Sequence, residues 1–359
     1  MHVRRILSRA LAGALVVAGL TALLSQPASS AFLPACGSTI NVSITLFRDL
    51  TCPAGDGLRI GANNVIVNLN GRTLQGSGNG SGIVALGRSG VVVKGGTISG
   101  FIDGVHFEGT DNSLMTGMKV FDSTGVGVHL ISGSDRNTIS LSTVSRSHGR
   151  QIHLEDSTFN KLSGLTVTKG AGDGVNFNRA SRGNTLTNSK IDYHVGHGVN
   201  SNGDANTFTN NTLTGANIGI FTGEGATGVT IRGNAVSQTQ ANGIYNFRGQ
   251  SNLIEGNTVS DATANGIASN EGANNRIVEN RVKSSLNEHG FQVFETGTLL
   301  DENEASYNHI DGFRVSCGGT CTLKENNATN NSQRGINAPG EIDGGDNQAS
   351  GNPGGNILF

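Results

Sequence analysis

The sequence predicts an all-β chain wound into a parallel β-helix, a solenoid of about twelve coils of 22–24 residues. Six asparagines recur every 23 residues, at Asn211, Asn234, Asn257, Asn280, Asn303 and Asn326. A Gly followed by an apolar residue recurs in steps of 21–24 residues, from Gly82-Ile83 to Gly335-Ile336. A fixed period of this length indicates a repeat array, in which neighbouring units bury each other's apolar sides. Between these anchors lie short runs with apolar residues at alternate positions, separated by turn residues, which is typical of strands.

The periodic asparagines are predicted to be structural. One polar side chain repeated at the same position of each coil forms a ladder, whose amides bond to the copies above and below. Asn also tolerates left-handed backbone at a bend. The 54 glycines fit a fold that makes several tight bends in every coil.

Residues 1–31 are predicted to be a signal peptide. Arg4, Arg5 and Arg9 precede an apolar run over residues 10–24, and small residues at 28–31 offer a cleavage site. The apolar run is short and wrongly flanked for a membrane span. The mature protein is therefore expected to be secreted, extracellular and without a membrane span.

The charge of the mature chain argues against a nucleic-acid partner. The predicted signal peptide carries three Arg and no acid, so 22 of the 25 bases remain against 27 acids, a net charge of −5. Nucleic-acid binding needs a basic stripe. An anionic glycan stays open as a partner, because local groups can dominate a binding surface. The chain itself is expected to be a monomer.

Four cysteines in an exported chain predict two disulfides, Cys36–Cys52 and Cys317–Cys321 when paired by proximity. The first would staple an N-terminal cap, residues 32–57, over the open edge of the solenoid, which must be covered to prevent end-to-end pairing. The solenoid is predicted over residues 58–340. Residues 341–359 are expected to form a C-terminal cap or tail.

Alternation along each strand predicts which side chains point outward. After each anchor Gly the apolar residue faces inward and the next faces outward. This outward row is His106, His129, His153, Asn176, Asn200, Phe221, Tyr245, Ala268, Gln292, Arg314 and Asn337. On a solenoid, residues of such a row stand side by side.

Coils four to six are predicted to hold the functional site, because they are crowded with ionisable and amide side chains. The group comprises His148, Arg150, His153, Glu155, Lys169, Asp173, Asn176, Asn178, Arg179, Tyr193, His194, His197 and Asn200. The fourth coil also breaks the repeat, since Gln151 replaces the anchor Gly. A departure from a local rule is where function is most expected.

A resemblance to a known family covers Cys36 to about Asn337. It rests on the anchors and on the opening segments Asp56-Gly57-Leu58 and Leu69-Asn70-Gly71-Arg72-Thr73-Leu74. The chain resembles the pectate-lyase-like right-handed parallel β-helix superfamily, and within it the secreted members with short repeats. The resemblance implies right-handed coils. This fold hosts lyases, epimerases, hydrolases and proteins without chemistry, so function is argued from the site.

The crowded coils favour a polysaccharide lyase or a uronate C5-epimerase that acts on an acidic polysaccharide. Removing the C5 proton of a uronate requires a group that neutralises the carboxylate, a base and an acid, and His titrates near neutral pH. Arg150 or Lys169 is the candidate to neutralise the carboxylate. His153 or His197 is the candidate base, and Tyr193 or His194 is the candidate acid. Asp173 belongs to the same predicted catalytic group. The residues expected to contact the glycan are His148, Asn176, Asn178, Arg179, Asn200 and Tyr245.

Two other functions stay open. The first is a non-catalytic β-helix that binds glycans or another surface. The second is a glycoside hydrolase, because Gly196-His197-Gly198 resembles the Gly-His-Gly of polygalacturonases, with Asp173 one coil earlier. A hydrolase needs two carboxylates, yet Gly172 and Arg150 stand where that family has its other aspartates.

No cofactor is firmly expected from the sequence. Calcium is the candidate, through the oxygen ligands of Glu155 and Asp173, since hard cations take oxygen donors.

Overall fold

The structure, a computed structural model, describes residues 34–359. The predicted signal peptide lies outside the described residues. Every regular element in residues 34–359 is a β-strand, so this part of the chain has no helix that could cross a membrane.

Fifteen short parallel strands stack into one sheet, which we call the anchor sheet. Its strands are Ser38–Ile40, Leu58–Ile60, Ser81–Leu86, Asp103–Glu108, Val128–Ile131, Ile152–Leu154, Val175–Phe177, Val199–Ser201, Ile220–Thr222, Ile244–Phe247, Ile267–Ala273, Phe291–Thr296, Phe313–Val315, Ile336–Asn337 and Ile357–Leu358. Each strand pairs in parallel with the strand one coil later. This confirms the all-β solenoid that the repeat predicts.

Two further rows of parallel strands complete each coil. The second row is Ile44–Thr45, Ile66–Asn68, Thr138–Ser140, Lys161–Ser163, Thr185–Thr187, Thr207–Thr209, Thr230–Arg232, Leu253–Glu255, Arg276–Val278, Leu299–Asp301, Thr322–Lys324 and Ile342–Asp343. The third row is Leu50–Thr51, Thr73–Gln75, Thr143–Ser145, Thr166–Thr168, Lys190–Asp192, Thr212–Thr214, Ala235–Ser237, Thr258–Ser260, Arg281–Lys283, Glu304–Ser306, Asn327–Thr329 and Gln348–Ser350. Two long strands, Val92–Ser99 and Leu114–Phe121, belong to both rows.

The anchor sheet has fifteen strands, three more than the twelve anchors counted in the sequence, and the solenoid has about fourteen turns. The count of twelve began at Gly82 and so omitted strands Ser38–Ile40 and Leu58–Ile60. It also omitted Ile357–Leu358, which follows Asn356 rather than a Gly.

The anchor glycines allow successive coils to stack closely. A Cβ placed on Gly104 would lie 2.5 Å from the carbonyl oxygen of Gly127 and 2.2 Å from a methyl of Val120. The residue after each anchor points inward, as Val105 and Val128 do, and is buried. The predicted alternation of inward and outward side chains is therefore confirmed.

The asparagines at 23-residue spacing form the predicted ladder. The Nδ2 of Asn234 donates to the Oδ1 of Asn257 at 3.0 Å, and the Nδ2 of Asn257 donates to the Oδ1 of Asn280 at 2.9 Å. Each amide also bonds to backbone, for example from Asn257 Nδ2 to the carbonyl of Ile231 at 2.9 Å. The ladder side chains are buried, so their bonds satisfy backbone groups that water does not reach.

Both predicted disulfides are present, Cys36–Cys52 and Cys317–Cys321. The first lies at the N-terminal end of the stack, where residues 38–40 already pair with residues 58–60. The second sits beside Glu341, whose carboxylate accepts hydrogen bonds from the backbone N–H groups of Cys317 and Cys321.

Candidate functional site

The outward surface of the anchor sheet, which we call the anchor face, carries the predicted row of polar and aromatic side chains. His106, His129 and His153 are register partners on three successive strands. Asn176 and Asn200 continue the same row on the next two strands. Side chains that belong to distant parts of the sequence are thus neighbours on one surface.

The three histidines, which we call the histidine row, are in ring contact. The ring centroids of His106 and His129 are 5.3 Å apart, and those of His129 and His153 are 5.2 Å apart. Asp103 lies beside the first two rings, because its Oδ2 is 3.0 Å from His106 Nδ1 and 3.1 Å from His129 Nδ1. One carboxylate therefore orients two imidazoles on adjacent coils.

Hydrogen bonding sets the charge state of this group. Burial alone would raise the pKa of Asp103, but bonds from His106, His129 and the Val126 amide outweigh it and hold the pKa well below its ordinary value. The bond to Asp103 raises the pKa of His106, against an opposing effect of burial. Asp103 is thus a carboxylate that accepts a hydrogen bond from each neighbouring ring.

His153 is more deeply placed, with 6% of its surface exposed. Burial, together with the nearby Arg150 and His129, lowers its pKa to about 4, so its imidazole is neutral at neutral pH. Its Nε2 lies 3.5 Å from Oε2 of Glu155, whose side chain is 55% exposed. The Nδ1 of His153 and the Nε2 of His129 are buried and have no hydrogen-bond partner.

Asp173 fastens two coils together by an arrangement we call the aspartate clasp. Its Oδ1 accepts from the backbone N–H of His197 at 2.9 Å. Its Oδ2 accepts from the Nδ2 atoms of Asn176 and Asn200, both at 3.0 Å. Asp173 belongs to the predicted catalytic group, but these three bonds leave its carboxylate largely committed to protein donors.

Arg150, Asp173 and His197 precede the anchor position of coils four, five and six, and they lie next to one another. The Nε of Arg150 is 3.9 Å from Oδ2 of Asp173, a long separation for an ion pair, and its side chain is 47% exposed. Burial lowers the pKa of His197, and the charge of Asp173 only partly offsets that shift. A free guanidinium and a neutral imidazole therefore flank the clasp.

Aromatic rings continue the surface beyond His197, and we call this run the aromatic strip. Ring centroids are separated by 5.1 Å from His197 to Phe221, by 5.7 Å from Phe221 to Tyr245 and by 5.8 Å from Tyr245 to Phe247. The guanidinium of Arg248 covers Phe247 at 4.7 Å. Phe221 and Tyr245 are register partners on successive strands of the anchor sheet, and Phe247 lies on the same strand as Tyr245.

Three of the residues predicted for catalysis lie away from this face. Lys169 and Tyr193 are exposed corner residues after the third row, with left-handed φ angles of 57° and 56°. His194 is buried in the interior, 1% exposed, and its Nε2 lies 3.2 Å from the carbonyl oxygen of Val167. A ring in that position cannot meet a ligand on the surface.

The break in the repeat at Gln151 also has a packing explanation. Its side chain is buried and bonds to the backbone and hydroxyl of Ser147. A Cβ on Gly170 would lie 2.4 Å from Gln151 Nε2 and 2.7 Å from His194 Nδ1, so both polar side chains reach into the same interior corner. Gln151 replaces the anchor Gly at a position where its side chain packs into an interior corner, and it does not contribute to the surface.

The remaining predicted contacts are spread around the coil. His148 is exposed in the turn before coil four, with Nδ1 3.4 Å from the carbonyl of Ser123. Asn178 uses its Oδ1 to accept from the backbone N–H groups of Asp156 and Ala180. Arg179 is exposed at the far end of its anchor strand.

Calcium is not indicated by the arrangement of oxygen ligands. Asp173 belongs to none of the groups of potential metal ligands found in residues 34–359, because its oxygens face amides. Glu155 groups instead with two imidazoles, those of His129 and His153. The residues expected to hold calcium therefore do not form an oxygen cage.

The sequence-based site omitted Asp103, His106 and His129. The signal that finds them is the repeat itself, because His106, His129 and His153 are 23 and 24 residues apart and all follow an anchor. Phe221 and Phe247 were likewise left out, although Phe221 falls in the same outward row.

Comparisons with known proteins agree with this architecture. The family model described as "Right handed beta helix region" matches residues 197–353, and the one described as "Periplasmic copper-binding protein (NosD)" matches residues 40–220. No curated protein sequence matches the chain.

Two solved structures share the fold at low identity. The A-module of mannuronan C-5 epimerase AlgE4 from Azotobacter vinelandii is 13% identical, with 89% of this chain and 91% of that chain covered and a TM-score of 0.55. A hyperthermoactive exopolygalacturonase from Thermotoga maritima is 11% identical, with 72% and 84% covered and a TM-score of 0.53. At these identities the likeness shows the fold alone. Because the second family model spans just over half of the 359 residues, this chain belongs to the NosD family of right-handed parallel β-helix proteins.

Proposed function

We propose that the chain is an exported protein that binds an acidic polysaccharide along the anchor face. The observation that carries the proposal is the aromatic strip, a run of four neighbouring rings from His197 to Phe247 that spans three successive coils. Strands stand about 4.8 Å apart, so rings on successive coils lie close enough to form one apolar surface for a linear polymer. The two disulfides support an oxidising compartment outside the cytoplasm.

Arg150 gives the proposal its preference for an acidic polymer. Its guanidinium is half exposed and only loosely paired with Asp173. Guanidinium matches the geometry of a carboxylate with two parallel hydrogen bonds, and such charge-assisted pairs are the stronger ones. The names of the two structural neighbours, a mannuronan epimerase and an exopolygalacturonase, are compatible with this ligand class.

Replacing Tyr245 by Ala is expected to weaken glycan binding by about tenfold. The reason is loss of a central ring of the strip, since ring contacts are worth roughly 0.5–1.5 kcal/mol beyond the area they bury. Affinity electrophoresis or calorimetry with uronate polymers measures the change. The matched control is Tyr307→Ala, because Tyr307 is 58% exposed at a corner and lies outside the strip. Equal losses in both variants would contradict the assignment of the strip.

The finer proposal is that the bound uronate is turned over by a lyase or C5-epimerase mechanism. The neutral imidazole of His197 would take the C5 proton while Arg150 neutralises the carboxylate. In a lyase, the C5–H electron pair forms the C4=C5 double bond as the C4–O bond breaks, and solvent protonates the leaving oxygen. In an epimerase, a proton returns to C5 from the opposite side. Hydrolysis has less support, because the clasp occupies the carboxylate beside His197.

Turnover and simple binding give different results with the same polymers. A lyase is expected to produce an absorbing unsaturated product, and an epimerase is expected to place solvent deuterium at C5. If the polymer binds but neither signal appears across a range of pH, the proposed turnover is wrong and the protein is a non-catalytic glycan-binding protein.

Metal binding is a second candidate function, and the histidine row favours it. The family description names copper. Imidazole is a suitable ligand for copper, and three histidines stand in contact on adjacent strands. Equilibrium dialysis of the untagged protein against Cu²⁺, Zn²⁺ and Ca²⁺ is expected to show copper retained and calcium not retained.

A further inference from the structure

We infer that His129, His153 and Glu155 are the ligands of a site for a divalent metal ion that prefers imidazole, with copper bound more tightly than zinc. The inference rests on the proposed metal-binding function and assigns its ligands. His129 and His153 are direct register partners, and Glu155 follows His153 on the outward side of the same region.

The distances suit a shared ion. The candidate ligand atoms of the three residues all lie within 4.8 Å of one another. His153 Nε2 and Glu155 Oε2 are 3.5 Å apart. Two ligand atoms that bind one tetrahedral ion at about 2.1 Å are themselves about 3.4 Å apart. The exposed side chain of Glu155 can rotate to place its carboxylate on the ion, so little rearrangement of the backbone is needed.

Asp103 prepares His129 for this role. It lies 3.1 Å from His129 Nδ1, and as a carboxylate it accepts the N–H there. The lone pair of the ring is then on Nε2, which is buried and has no partner in residues 34–359. Metal-binding histidines commonly donate their other ring N–H to a carboxylate, which fixes the tautomer and the ring orientation.

The unpartnered Nε2 of His129 is the independent sign of a missing ligand. A buried polar atom without a partner costs roughly 1–3 kcal/mol. Here that atom is His129 Nε2, since the proposed ion would be held by Nε2 of His153 and not by its Nδ1. A bound cation at His129 Nε2 supplies the interaction that the protein itself does not provide.

The donor set selects the class of ion. Two imidazole nitrogens and one carboxylate oxygen suit copper or zinc, and affinity for such sites rises to a maximum at Cu²⁺. Calcium takes six to eight oxygen ligands and is a poor match. Because both ions fit the ligands, the measurement includes each of them separately.

The test is titration of the untagged, metal-free full chain with Cu²⁺ and with Zn²⁺, followed by electron paramagnetic resonance of the copper form. We expect one tight Cu²⁺ per chain, weaker Zn²⁺ and hyperfine splitting from two nitrogens. His129→Ala and His153→Ala should each weaken Cu²⁺ binding by at least about tenfold, the lower end of what losing even an outer-shell partner costs. Glu155→Gln, an exposed change that does not threaten folding, should also weaken it.

The matched control is His309→Ala, because His309 is an exposed histidine in a late coil, outside the histidine row. Circular dichroism and melting curves establish that each variant is folded. If the chain binds no copper, both the metal-binding function and this site fail. If copper binds with unchanged affinity in His129→Ala, His153→Ala and Glu155→Gln, the function stands and the assigned ligands are wrong.

Discussion

Replacing Asn257 by Ala is expected to destabilise the protein by about 2–4 kcal/mol, because a buried N–H left unbonded costs roughly 1–3 kcal/mol and a lost hydrogen bond to a buried carbonyl costs about 1 kcal/mol. Asn257 Nδ2 donates to the carbonyl of Ile231 at 2.9 Å. Its Oδ1 accepts from the backbone N–H of Asn234 at 2.9 Å. The buried N–H of Asn234 loses its partner in the variant, and the carbonyl of Ile231, which lies in a paired strand, loses one bond. The side chains of Asn234 and Asn280 each lose one further bond.

The change Asn257→Asp is expected to be worse at neutral pH. It places a carboxylate oxygen where the amide now donates to the Ile231 carbonyl and to Asn280 Oδ1. A buried charge facing acceptors costs more than a lost bond. Burial raises the pKa of such a carboxyl, so its protonated form is the one that folding favours. The loss of stability should therefore be smaller at low pH and should grow as the pH rises.

Hydrogen exchange and denaturant titration measure these effects. Exchange is needed because a solenoid can open locally, a few coils at a time. The control is Thr258→Ala, an exposed change at the next residue of the same coil. Surface changes of this kind usually stay within about 0.5 kcal/mol. A similar small effect for Asn257→Ala would show that the ladder is not a stabilising element.

The ladder and the anchors made the fold predictable from sequence. A buried asparagine repeated every 23 residues has few explanations other than stacking of equivalent positions. The anchor glycines add a steric reason, since a Cβ on Gly243 would lie 2.6 Å from the carbonyl of Gly266 in the next coil. Strand alternation then identified the outward row correctly, from His106 to Tyr245.

The candidate site was less predictable because alternation fails at corners. Tyr193 adopts a left-handed φ of 56°, which turns the chain and sends the following His194 into the interior. Nothing in the local sequence distinguishes that corner from an outward-facing segment. Gln151 was misleading for a related reason, because its buried bonds to Ser147 become visible only when the coil is closed. Long-range hydrogen bonds such as those of Asp173 are equally hidden in the sequence.

Replacing Asp173 by Ala is expected to cost about 3–5 kcal/mol of stability. Hydrogen bonds to a charged group are worth roughly 1.5–3 kcal/mol each, and the bonds of one connected network contribute less than their sum. The clasp loses its bonds to the His197 N–H and to the side-chain amides of Asn176 and Asn200. Asn176 is 3% exposed, so water does not replace the hydrogen bond that its side chain loses. Asp173→Asn should be intermediate, because it keeps an acceptor for His197 but turns an amide toward two other amides. Denaturant titration measures both variants.

The clasp also positions His197 and Asn200 for the proposed glycan, so Asp173→Ala should weaken glycan binding as well. The matched control is Asp311→Ala in a later coil. Asp311 accepts from the backbone N–H of Arg334 at 2.9 Å and from Asn337 Nδ2 at 3.0 Å, which matches two of the three bonds of Asp173. Its loss should cost about 2–4 kcal/mol by the same reasoning and leave glycan affinity unchanged. Full stability in Asp173→Ala together with abolished glycan binding would mean that Asp173 contacts the ligand directly, and the clasp would then be the wrong account of its role.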